Sequence, residues 1–128
     1  MNKEFIPYEQ ALELKELGFD EECISSWLGN DYMVPHRNWQ KGNEKYISAP
    51  LYQQAFRWFR EKYDLASQIH PMVESESKQY VWHYMIRNIN EYLTTFDIET
   101  WANTYEEAEL ACLKKLIEMV DRNGEAYN

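Results

Sequence analysis

The residues of this 128-residue chain whose types and spacing first invite a catalytic or metal reading are three histidines, two cysteines, a serine pair and two runs of acids. His36, His70 and His83 stand in three separate segments. Zinc sites usually present paired ligands roughly two to five residues apart, and neither HExxH, CxxC nor an acidic calcium loop occurs. A metal site assembled from distant residues is the alternative to having none. His83 alternates with aromatics and reads as a satisfied histidine on a sheet face. Ser25-Ser26 lacks the GxSxG turn that exposes a nucleophilic serine. Cys23 is a conceivable partner for a distant histidine. Asp20-Glu21-Glu22 and Glu106-Glu107 supply the paired carboxylates a glycosidase uses. The first pair reads more simply as a solvated loop, and the second as the start of a helix whose dipole it offsets. No catalytic residue, metal or cofactor is assigned.

Two groups suit a ligand better than a reaction. In Arg37-Asn38-Trp39-Gln40-Lys41 cations are interleaved with an aromatic, as where a base stacks on Trp and Lys or Arg meets phosphate. Gly42 would keep this loop mobile. The alternative is an exposed loop whose Trp39 tucks onto the core. The second group is Tyr80, Trp82 and Tyr84, which strand alternation puts on one face. Arg37, Trp39, Lys41, Tyr80, Trp82 and Tyr84 are therefore the candidate ligand-binding residues.

These groups must be held by elements that the pattern makes legible. Tyr8 to Leu17 is rich in helix formers, opened by Ile6-Pro7 and closed by Gly18, with Phe19 able to fold back on Leu14. A hairpin follows, with Cys23 to Leu28 and Tyr32 to Val34 around Gly29-Asn30-Asp31, and Glu44 to Ile47 is a third extended piece. Ser48 is placed as the cap of a second helix through Ala49-Pro50-Leu51. Leu51, Ala55, Trp58, Phe59 and Tyr63 mark one side of that helix, opposite Arg57, Arg60, Glu61 and Lys62.

From 66 to 101 the helical period disappears. Ser67 to Val73 reads as a strand that Pro71 confines to an edge, a bulge or an end. Gln79 to Ile86 is the strongest strand of the chain, and another spans about Tyr92 to Ile98. Thr104-Tyr105-Glu106-Glu107 is a capping box in which Thr104 takes the Glu107 amide and Glu107 reaches back to the Thr104 amide. Ala108, Cys112, Leu113, Leu116, Ile117, Met119 and Val120 then recur at helical spacing. The order predicts one α+β domain over 1–128: an antiparallel sheet of about four to six strands with three helices packed mainly on one face.

Composition sets the broad class. Five Trp, ten Tyr and an aromatic share of 16% belong to a folded chain. No apolar run approaches the roughly 18 residues that span a bilayer, so a soluble cytoplasmic protein without membrane contact is expected. Cys23 and Cys112 suit that compartment as buried free thiols, although spacing does not exclude a disulfide. Net charge is −9, yet residues 34–62 carry six bases against two acids. Overall acidity repels phosphates and argues against direct nucleic-acid binding, with the basic stretch as a local exception or a plain solvated face.

The blocks Tyr8 to Phe19, Ser48 to Tyr63 and Thr104 to Glu118 resemble small uncharacterised proteins of phages and prophages of gut bacteria. The resemblance implies a small accessory protein made inside a bacterium and acting by contact, and it carries over no activity or site residue. The expected function is binding of a host protein, as an acidic mimic of nucleic acid or an anti-defence factor. A nucleotide or other small-ligand binder is the alternative, and an enzyme of unrecognised type the second. A half-exposed aromatic sheet face also predicts self-association into a homodimer.

Overall fold

Local signals place the first helix with little freedom. The computed structural model describes residues 2–30, 32–35, 44–90, 95–96 and 102–122. Helix α1, Tyr8–Glu16, follows Pro7 in an extended cap conformation. Beyond it Gly18 has φ 104, the Phe19 amide bonds the Leu14 carbonyl at 2.9 Å and the Gly18 amide bonds Lys15 at 3.0 Å. This is the Schellman stop predicted, and Leu14 and Phe19 are both buried.

The chain divides into two compact units, Met1–Ala55 and Phe56–Asn128. In the first, β1 (Ser25–Leu28) lies between β2 (Met33–Pro35) and β3 (Tyr46–Ser48), antiparallel to both. Gly29, at φ 77, turns the predicted hairpin, and the Leu28 amide bonds the Tyr32 carbonyl at 2.8 Å. Helix α1 packs against β3. Ile6, Leu14, Phe19, Trp27 and Ile47 belong to the core, and the Trp27 indole donates to the Ile6 carbonyl at 2.9 Å.

The second helix starts later than its sequence suggests. Helix α2 spans Tyr52–Tyr63, and Ser48 ends β3 instead of capping it. Phe5 bridges Leu51, and the Ile6 amide bonds the Pro50 carbonyl at 2.9 Å. The backbone that would have made a first turn is thus taken up by pairing with the N-terminal segment. Arg57, Arg60, Glu61 and Lys62 are exposed, as their spacing predicts.

In the second unit, β4 (Leu65–Val73) and β6 (Thr95–Phe96) flank β5 (Tyr80–Asn88), again antiparallel. Pro71 sits in β4, an edge strand, where its missing amide costs no ladder bond to a further strand. Ala102 extends the pairing on the other side of β5, exchanging two 2.8 Å backbone bonds with Trp82. Asp64 turns α2 into β4 at φ 61, and its carbonyl accepts the Ile89 amide at 2.9 Å.

Helix α3, Tyr105–Arg122, packs on β4 and β5. All seven residues predicted as its apolar stripe are buried. Thr104 does accept the Glu107 amide at 3.1 Å. The Glu107 carboxylate, however, takes the amide of Asn103 at 3.1 Å, one residue before the expected partner. The fold is α+β with three α-helices and antiparallel pairing throughout the described residues, and its six strands are shared between two sheets.

Candidate functional site

The second unit places its chemistry-bearing side chains on both faces of one hairpin. Trp82 meets Tyr105 of α3 edge-on, with ring centroids 5.3 Å apart and planes at 87°. Strand alternation therefore turns Trp82, Tyr84 and Ile86 toward α3. Tyr84 and Ile86 are buried there, Trp82 is half-buried, and Tyr80 is 68% exposed at the strand's beginning. The three predicted aromatics share a face as expected. Helix α3 packs over two of them, and among the described residues the Tyr80 end is the most open.

One turn along α3 from Tyr105 stands Glu109, a buried acid. Burial pushes its carboxyl up from 4.5 to about 7, with a further push from the Glu106 carboxylate; a hydrogen bond from Tyr105 works the other way. Tyr105 is raised too, first by burial and then by the Glu109 charge. A carboxyl near neutrality beside a phenol can give or take a proton at physiological pH, and when protonated it can donate a hydrogen bond. Sequence reading assigned Glu109 nothing. The signal was there: an acid at the same stripe position as Tyr105 and Cys112, where packing calls for an apolar side chain.

On the opposite face, register sets His70 of β4 directly across from His83 of β5. Their rings meet edge-on with centroids 4.3 Å apart. His83 is buried and His70 half-buried. Two histidines thirteen residues apart in sequence thus form one pair, which their spacing did not announce. No group of three or more His, Cys, Asp or Glu side chains gathers to hold a metal ion among the described residues.

The remaining candidates fall elsewhere. Arg37, Trp39 and Lys41 lie outside the described residues, as does His36. The basic side of α2 is partly engaged by the helix itself: Lys62 Nζ sits 5.1 Å above the Trp58 ring and 5.7 Å from that of Tyr63. Cys23 and Cys112 are buried and not joined in a disulfide. Burial and the Glu21 carboxylate push the Cys23 thiol from 9.0 to about 11, so little thiolate exists at neutral pH. Among the described residues no helix is long and apolar enough to cross a membrane. No family model, curated protein or solved structure matches this chain.

Proposed function

We propose that the chain is a non-enzymatic accessory protein of a phage or prophage, acting in the bacterial cytoplasm by binding a host protein. The observation that supports this reading is the far end of the β4–β5 hairpin. Val73 and Tyr80 are 54% and 68% exposed there and pair directly on one face, while Met72, on the other face, is 41% exposed. A turn carrying Glu74 and Glu76 joins the strands, closed by backbone bonds of 2.8 Å from Lys78 to Glu74 and 2.9 Å from Glu74 to Gln79. Apolar and aromatic side chains rimmed by acids form a contact surface of the usual kind, with Tyr as a natural anchor. A net charge of −9 suits a partner that ordinarily grips nucleic acid, as an acidic mimic or anti-defence factor would.

Changing Val73 and Tyr80 together to Ser tests this. One host protein retained by the native chain and released by the variant, with stability unchanged, supports the reading. Equal retention by both overturns the assigned surface. A complex indifferent to ionic strength contradicts charge mimicry. Homodimer formation belongs to the same reading, and a monomeric mass in light scattering at high concentration counts against it.

A second reading, a binder of nucleotides or other small ligands, draws on Glu109. Its near-neutral carboxyl lies beside Tyr105, which is 38% exposed and touches Trp82. A ligand at one hundred times its dissociation constant stabilises the fold by about 2.7 kcal/mol, so a thermal-shift panel decides between the two readings.

A further inference from the structure

We infer that the β4–β5 sheet binds a soft monovalent cation, Cu(I) or its analogue Ag(I), between His70 and His83 with thioether support from Met72 and Met85. The inference rests on register and ring geometry and is independent of the proposed binding function. His70 lies opposite His83, Met72 opposite Val81 and Gln68 opposite Met85. Alternation sends 68, 70 and 72 of β4 and 81, 83 and 85 of β5 to one face. Each imidazole therefore has a methionine two residues along its own strand on the same side.

Distance and donor type both bear on the ion. Two nitrogens bound to one closed-shell cation lie at most about 4 Å apart, because each metal–nitrogen bond is about 2 Å. The two rings, in edge contact at 4.3 Å on directly paired positions, must turn about their side-chain bonds and part slightly to aim one nitrogen each at a common ion, a movement that cross-strand pairing keeps within reach. Met85 is half-buried and Met72 is 41% exposed, and a thioether on three rotatable bonds can swing toward a neighbouring site.

Charge then selects among metals. The paired positions of this face within 66–72 and 81–87 include Arg87 and no carboxylate. Among those paired positions a divalent ion would set two charges beside a buried histidine and a like-charged Arg87. Neutral imidazole and thioether donors suit a soft monocation, whereas calcium and magnesium require oxygen ligands. The half-exposed positions of His70 and Met72 give the ion a route in.

The test titrates the full chain anaerobically with Cu(I) against bicinchoninate, and separately with Ag(I) while recording the imidazole nitrogen resonances. The expected result is one ion taken from the competitor, with the His70 and His83 nitrogens both shifting. His70→Gln, at a half-exposed position that tolerates change, weakens uptake by about tenfold or more, the scale on which losing even a supporting group weakens a metal site. Met85→Leu weakens it less and leaves the far-ultraviolet spectrum unchanged. Shifts confined to His36, or uptake traced wholly to Cys23 and Cys112 with both imidazoles unmoved, overturn the site. So does uptake by the native chain that His70→Gln leaves unchanged.

Discussion

Tyr105 and Trp82 touch edge to face where α3 begins to cross β5, with ring centroids 5.3 Å apart. Trp82 also exchanges both backbone bonds with Ala102, three residues before Tyr105. One tryptophan thus ties the entry of α3 to the strand by main chain and by side chain. Glu109 follows one turn later and is itself buried.

Replacing Glu109 with Gln is expected to stabilise the protein above neutrality and not in acid. The folded carboxyl is raised from 4.5 to about 7. Below the lower value both folded and unfolded chains are protonated there, and the native contribution is complete. Between the two values the folded chain holds a proton that the unfolded chain has released, so stability falls as pH rises, until ionisation in the fold is complete. The variant should gain about 1–2 kcal/mol over the native chain between pH 5 and pH 8, less than the full shift implies because the helix start is partly solvated. Urea titrations at the two pH values measure it, and parallel profiles would refute the buried, near-neutral carboxyl. Tyr105→Phe removes the hydrogen bond that lowers Glu109, so it should move the window upward.

Gly18→Ala should cost about 1 kcal/mol or more. Gly18 has φ 104, which a side chain disfavours, and its conformation carries the two bonds that end α1. Thermal unfolding reads this directly. An unchanged midpoint would mean that α1 ends without the left-handed residue.

At the start of α3 the two arms of the cap should prove unequal. Thr104→Ala removes the acceptor of the Glu107 amide and should cost about 1 kcal/mol. Glu107→Gln keeps a carbonyl that can accept the Asn103 amide and should cost only a few tenths, mostly from the helix dipole. Equal losses in denaturant titrations would contradict the Asn103 pairing.

Neither cysteine should react with iodoacetamide at pH 8 in the folded protein, and both should react in urea. Cys112 has no exposed surface, and burial holds the Cys23 thiol near 11. Rapid labelling of Cys23 under native conditions would show that its surroundings open.

Much of this was legible because helix ends and stripes are local. Gly18 needs only its own φ and the carbonyls of the preceding turn, and the stripe of α3 needs only a repeat of 3.6 residues. The start of α2 was misplaced because Pro50 and Leu51 are occupied by Ile6 and Phe5, more than forty residues earlier. No window around Ser48 contains that competition.

The functional candidates show the same division. Residue types alone already determined an acidic, aromatic-rich α+β chain with three amphipathic helices and no contiguous catalytic motif. Tertiary structure alone decided that Tyr84 lies beneath α3 while Tyr80 stays open, that Glu109 loses its water, and that His70 meets His83. Strand register and burial set each of these, and both depend on residues far apart in the chain, where local preference has no reach.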